Sequence, residues 1–284
     1  MFERTMENQV LAKRLPVWMT ALPYVLLLAF YAPVLSELIW DWAHDDNYSH
    51  GFLIPLVSGY LLWKKRNELA AVAHTVDSRG LAVVILGLVL FILGNGAAEY
   101  FVVRFSFVVV LFGLTYYLFG RELVKQGWFE FFFLLFMIPI PYVIYFAATF
   151  PMQVLASKIT VFVLNIIGMG VVRQGNIIHL PGYSLEVAEA CSGMRSLVSL
   201  LALGALYAYM TQRGFLAKSI LFLSTIPIAV IANVFRVFVT SILAYGVSNE
   251  VAEEPIHSIM GMSVFVVAFV FLFIEGFILR KLFK

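Results

Sequence analysis

Three side chains that together could catalyse acyl transfer lie in the last third of the sequence. Cys191 is the only cysteine among 284 residues, so it has no internal disulfide partner. Arg236 interrupts an apolar run, and His257 follows an acidic loop. A cysteine thiolate can attack a peptide carbonyl, histidine can accept and return the proton, and arginine can stabilise the oxyanion. Water would release the resulting thioester as a cleaved product, whereas an amine would release it as a ligated one.

The residues around Cys191 favour a reactive thiol. We predict Cys191 in the first turn of a membrane helix, where the helix dipole and unpaired backbone N–H groups favour the thiolate. Arg195 lies four residues later on the same face and acts in the same direction. Glu189 either orients His257 or Arg236 or favours the helix N-terminus. The alternative for a lone cysteine at a helix end is a small packing residue.

Arg236 and His257 supply the remaining groups. Asn233 precedes Arg236 by one turn on the same face of an apolar span. A guanidinium in the bilayer faces a polar cavity or a partner, unless it snorkels to the interface. Arg195 is the main rival to Arg236 as the oxyanion stabiliser. His257 opens the next span, where it is either the general base or a capping histidine.

The whole chain has the composition of an integral membrane protein. It is 62% hydrophobic and 13% charged, with a mean hydropathy of +0.94, whereas soluble domains are about 25% charged. We therefore predict a single integral membrane domain over residues 1–284. The net charge of +2 gives no indication of a nucleic-acid partner. The first apolar run is longer than a signal-peptide core and is read as a retained span.

Apolar runs near the roughly 20 residues that a bilayer requires predict an all-α polytopic fold with about eight transmembrane helices. The predicted spans are 17–39, 50–63, 80–98, 101–119, 128–141, 190–210, 219–243 and 257–279. The second and fifth spans are short. Most lysines and arginines fall on one side if the N-terminus is cytoplasmic, which places both termini inside. Cys191, Arg236 and His257 then meet at the outer face.

The charge distribution requires residues 142–189 to cross the membrane an even number of times, most simply not at all. The first part predicts an amphipathic helix lying in the outer interface. The alternative is a tilted span combined with a miscount elsewhere. Two short β-prone runs flank Pro181 and Gly182, which is a turn signal. We expect an extracytoplasmic hairpin that leads directly to Cys191.

At these residues the sequence resembles the exosortases and archaeosortases. The segments Glu189–Leu197, Asn233–Arg236 and His257–Gly261 are similar to the three signature blocks of that family. Tyr48–Pro55 and Arg173–Asn176 extend the resemblance toward the N-terminus.

The resemblance implies a multi-pass cysteine transpeptidase of the bacterial inner membrane, with its active site facing the periplasm. Its substrates would be exported proteins that end in a Pro-Glu-Pro-like motif, a transmembrane helix and a basic cluster, in systems that accompany exopolysaccharide production. Cys191 would be the nucleophile, with Arg236 and His257 completing the triad. No cofactor is implied, and no fused C-terminal domain is expected after Lys284.

Other polar residues allow further interpretations. Tyr48 and His50 either line the substrate path or form an interfacial aromatic belt and helix cap. Nothing fixes the spacing of His44, Asp45, Asp46 and His50 as a metal site, so no metal is expected.

A second class of function fits the composition. A transporter or flippase for a lipid-linked saccharide would use Arg236 and the acidic residues along its path, but no matching broken helices occur in the two halves. Glu99 and Arg104 are expected to pair across the turn between the third and fourth spans.

Overall fold

The computed structural model describes residues 17–72, 75–181, 183–187, 194–246 and 256–283. At residues 17, 183, 194–196 and 256–260 it describes the backbone alone. The chain forms two compact units, Met1–Pro139 and Ile140–Lys284.

The described part of the first unit is helical throughout. Its α-helices are α1 (Val17–His44), α2 (Leu53–Lys64), α3 (Arg66–Ala71), α4 (Ser78–Gly96), α5 (Tyr100–Phe119), α6 (Arg121–Gln126) and α7 (Trp128–Phe133). A 3₁₀ turn, Ser49–Phe52, precedes α2, and a second one, Leu134–Met137, continues α7.

Helix α1 is sharply bent. Its segments Trp18–Phe30 and Ala32–His44 meet at 63°. Pro33 explains the bend, because proline lacks the amide hydrogen and its ring clashes with the carbonyl four residues earlier. At the bend Tyr31 is fully buried, and its hydroxyl is 2.9 Å from that of Ser106 on α5.

The short segment formed by α7 and its 3₁₀ turn is fastened at both ends. Lys65, just after α2, forms a 2.9 Å ion pair with the buried Glu130 near the start of α7. At the other end, the indole of Trp42 donates a 2.8 Å hydrogen bond to the carbonyl of Met137. Both α7 and its 3₁₀ turn also pack against α2, so this segment runs along that helix.

One pairing expected from the sequence is wrong. Arg104 does not pair with Glu99; its guanidinium forms a 2.7 Å ion pair with Asp41 on α1. Arg104 lies on the second turn of α5, and its buried side chain crosses to the neighbouring helix. Sequence proximity across a turn did not reveal that tertiary partner.

The second unit combines four helices with a small sheet. The helices are α8 (Tyr142–Ile166), α9 (Met194–Thr211), α10 (Phe215–Gly246) and α11 (Ile256–Leu282). Helix α10 packs against α8, α9 and α11. The sheet stands between α8 and α9 in the chain, and it packs on α8 and α10 through a cluster that includes Ile178, Val187 and Val237.

The sheet has three antiparallel strands, β1 (Val172–Gln174), β2 (Ile177–Leu180) and β3 (Tyr183–Glu186). The hairpin predicted around Pro181 is confirmed, because Leu180 pairs with Tyr183 across that turn. The strand β1 was not predicted. Its turn to β2 has Gly175 at the first central position with φ +62°, where a two-residue hairpin turn of the II′ kind needs glycine.

An all-α membrane fold is present, but the count of eight spans is not confirmed. Within the described residues five helices are long and apolar enough to cross a membrane, or six with the bent α1. The segments predicted at 50–63, 128–141 and 190–210 correspond to shorter helices. Helix α8, predicted to lie in the interface, is one 25-residue helix whose length and composition would also allow it to span.

Candidate active site

Arg236 and Asn233 are both buried on one face of α10, as their spacing predicts. Arg236 is 6% exposed and Asn233 is 1% exposed. This burial inside the unit argues against an arginine that snorkels along a lipid-facing surface. Among the described residues, no donor reaches the Oδ1 of Asn233. An unsatisfied buried acceptor costs about 1–3 kcal/mol, so this amide is a candidate for a partner supplied by a bound substrate.

The guanidinium of Arg236 reaches α11. A Cβ built on Gly261 would lie 3.8 Å from Nη1 of Arg236. His257 precedes Gly261 by four residues in α11, so both residues share one face of that helix. The structure therefore brings Arg236 to the helix face that carries His257, although the His257 side chain is outside what the structure describes.

Cys191 and Glu189 lie outside the described residues, but the chain on either side of them is anchored. Val187, four residues before the cysteine, is 1% exposed. Met194, three residues after it, begins α9. Residues 188–193 join these two positions in the sequence. The prediction that the thiol occupies the first helical turn falls on this undescribed segment.

The three helices that carry the predicted residues pack in one apolar cluster. Leu197 and Val198 from the start of α9 join Ala229 and Ala232 of α10 in it. Val264 of α11, one turn after Gly261, belongs to the same cluster. The beginning of α9, the middle of α10 and the beginning of α11 are therefore neighbours in the second unit.

The remaining predicted residues lie elsewhere in the two units. Arg195 is the second residue of α9, and its side chain is not described, so its rivalry with Arg236 stays open. Tyr48 and His50 are in the first unit, near the 3₁₀ turn before α2. Tyr48 is buried, and the ring of His50 is 3.2 Å from the carbonyl of Phe136. These contacts stabilise that unit, and a role in the substrate path remains a prediction.

Two further residues contact the chain that leads to Cys191. Neither was expected from the sequence to be functional. Asn176, in the turn between β1 and β2, forms hydrogen bonds with Val187. Gln153, on the buried face of α8, accepts a hydrogen bond from Asn176. An asparagine next to a turn glycine is an ordinary turn signal, so its second role was not visible in the sequence.

The family model of the transmembrane exosortases matches residues 42–274 of this chain. The chain belongs to that family. The match includes Cys191, Arg236 and His257 and covers parts of both compact units. No curated protein and no solved structure matches the chain.

Membership of the exosortase family indicates a membrane-embedded protein of the protein-sorting transpeptidase class. The long apolar helices agree with residence in a lipid bilayer. The family favours peptide chemistry over the transporter alternative.

Proposed function

We propose that this exosortase is a cysteine transpeptidase that cleaves exported proteins at a C-terminal Pro-Glu-Pro-type signal and transfers them to an acceptor. The signal consists of that motif, one transmembrane helix and a basic cluster. The observation that carries the proposal is the position of Arg236, a buried guanidinium that faces α11 one turn from His257.

In the proposed reaction, the Cys191 thiolate attacks the scissile carbonyl and a tetrahedral oxyanion forms. Arg236 stabilises that oxyanion inside a low-dielectric site, where a fixed cation has a larger effect than in water. His257 gives its proton to the leaving amine, and a thioester remains on Cys191. An acceptor amine or water then attacks the thioester, His257 takes the proton from it, and the thiolate leaves.

The site would face the periplasm of a bacterial inner membrane, with both chain termini in the cytoplasm. Support comes from the basic residues at helix ends. Lys64 ends α2, and Arg280 and Lys281 lie in the last turn of α11. Arg213 lies in the connection between α9 and α10, and Lys218 lies in the first turn of α10. Because cytoplasmic loops retain lysine and arginine, these ends belong inside and the sheet with Cys191 belongs outside.

The experiment is to replace Cys191 with alanine or serine and to express each variant with a tagged protein that carries the C-terminal signal. Wild-type cells should convert the substrate to a form of altered gel mobility, and the alanine variant should leave it unprocessed. Membrane levels of the variants, followed through a tag on the enzyme, control for expression. Normal processing by the alanine variant would exclude the cysteine mechanism.

A further inference from the structure

We infer that Asn176 is a positioning residue for the nucleophile, an inference that rests on the proposed function of Cys191. Asn176 holds Val187 by both of its backbone polar groups. The amide N–H of Val187 donates to the carbonyl of Asn176 at 3.0 Å. The Nδ2 of Asn176 donates to the carbonyl of Val187 at 3.2 Å. The chain is therefore fixed by one side chain and one main chain immediately after β3 ends.

Asn176 is itself supported from α8. Its Nδ2 also donates to the Oε1 of Gln153, at 3.3 Å. One turn further along α8, the hydroxyl of Ser157 donates to the carbonyl of Gly175 at 3.2 Å. Gln153 is 5% exposed and Ser157 is fully buried, so water does not compete for either hydrogen bond. The turn between β1 and β2 is thereby fastened to a helix rather than left at a free edge.

The position that Asn176 fixes shares a buried cluster with the helix that carries the proposed oxyanion stabiliser. Val187 belongs to the same buried cluster as Val237, the residue after Arg236. Only residues 188–193 separate Val187 from the start of α9. Cys191 belongs to this short connecting segment. Asn176 holds the residue before the segment, and α9 begins directly after it. Because Cys191 is only four residues from Val187 in the sequence, loss of the Asn176 contacts should disturb the placement of the thiol relative to Arg236.

The structure offers a matched control for a merely structural role. Asn165, near the end of α8, likewise binds both backbone polar groups of one residue, Val171, but through its side chain alone. Its Nδ2 donates to the carbonyl of Val171 at 3.0 Å, and its Oδ1 accepts from the amide of Val171 at 2.9 Å. This clamp fixes the start of the sheet, twenty residues before Cys191. Loss of either clamp should weaken the sheet, but only loss of the Asn176 clamp should displace the nucleophile.

The test compares Asn176→Asp with Asn165→Asp in the full-length protein in detergent or liposomes. Each change keeps the shape of the side chain and removes its Nδ2 donor. Asn176→Asp should lower kcat by roughly 10- to 100-fold with little change in KM, because about 1 Å of misplacement at a reacting atom has an effect of that order. Asn165→Asp should stay within about threefold of wild type. Gln153→Leu, which removes only the support of Asn176, should give an intermediate loss.

A second readout reports on the thiol alone. Because the chain has one cysteine, the rate of alkylation by iodoacetamide across pH follows Cys191 directly. Asn176→Asp should move the inflection of that profile toward the value of an ordinary thiol, and Asn165→Asp should leave it unchanged. Equal kcat values and equal alkylation profiles for the two aspartate variants would overturn the inference and leave the proposed function intact. Normal processing by Cys191→Ala would instead remove the proposed function itself.

Discussion

Arg236 lies in an apolar helix, where a buried charge is energetically unfavourable unless it has a polar partner. Its position on the same face as Asn233 was predicted from their spacing, and the structure shows that both side chains are buried. The approach to Gly261 was not predictable, because a contact between two helices depends on their packing and not on residue order. The same holds for Asn176, whose bonds join residues that are eleven and twenty-three positions away. The shared face of Arg236 and Asn233 was thus readable from the sequence, whereas the contacts between distant residues were not.

Gly261 gives a graded test of the Arg236 site. A Cβ at this position meets Nη1 at 3.8 Å, which is ordinary contact, so Gly261→Ala should retain processing. Gly261→Leu should lose most activity, because the larger side chain must displace the guanidinium. Alanine and leucine both favour a helix over glycine, so the backbone of α11 should not be weakened in either variant. Processing assays on the two variants check this, and full activity of the leucine variant would contradict the assigned position of the oxyanion site.

A substitution at Asn233 can separate an effect on processing activity from an effect on the stability of the fold. Replacing the asparagine with leucine, which has the same branched shape and the same number of side-chain heavy atoms, removes a buried acceptor that has no donor among the described residues. If the amide were only structural, the change would be neutral or stabilising and activity would persist. We expect Asn233→Leu to unfold at the same or a higher temperature and yet to lose processing by at least tenfold. Thermal unfolding in detergent, measured beside the processing assay, gives both values, and retained activity would remove Asn233 from the site.

Helices α4 and α5 approach closely through a row of glycines. Gly80, Gly87 and Gly94 are spaced by seven residues and are buried on one face of α4. A Cβ on Gly80 would lie 2.2 Å from the backbone nitrogen of Tyr117, and one on Gly87 would lie 2.5 Å from Val110. Small residues let membrane helices pack backbone to backbone. The spans themselves were predictable from hydropathy, but this glycine row was overlooked because its composition resembles that of any apolar run.

The glycine row predicts a position-dependent effect of one added methyl group. Gly80→Ala forces α4 away from the α5 backbone and should destabilise the protein by about 1–3 kcal/mol, in the range of overpacked cores. Gly96→Ala at the end of the same helix meets nothing within 4 Å and should have no such effect. Thermal unfolding of the two variants in detergent measures the difference. Equal unfolding temperatures would show that α4 and α5 are not packed as described.

The hydropathy of α8 does not decide whether this helix spans the membrane or lies in its interface. Leu155, Phe162 and Ile166 are exposed, whereas Gln153 and Thr160 are buried, so the two faces follow the predicted pattern. The pattern is the same for a helix in the interface and for a tilted span that packs its polar face on protein. The interface remains the prediction of the charge distribution, which requires residues 142–189 to cross the membrane an even number of times.

The topology of the whole molecule can be measured with single cysteines in a Cys191→Ser background. Tyr142 begins α8 and Ile167 follows its end, and both are exposed. Asn67 lies in the predicted inner loop near Lys65. A membrane-impermeant maleimide should label Tyr142→Cys and Ile167→Cys in intact spheroplasts, and Asn67→Cys only after the membrane is opened. Labelling of Tyr142→Cys only after opening would make α8 a span and would require one of the earlier short segments not to cross.

At the scale of the molecule, the family match and the long apolar helices describe a membrane protein of the protein-sorting transpeptidase class, and its sequence contains a single thiol. The central claim is that this thiol carries the sorted protein as a thioester. Purified enzyme should be mixed with a substrate that carries the C-terminal signal, quenched in acid, and analysed by mass spectrometry of its peptides. The account predicts the N-terminal part of the substrate on the Cys191 peptide, released by neutral hydroxylamine and absent from Cys191→Ala. Cleaved substrate without any such adduct, or an adduct that persists in Cys191→Ala, would contradict it.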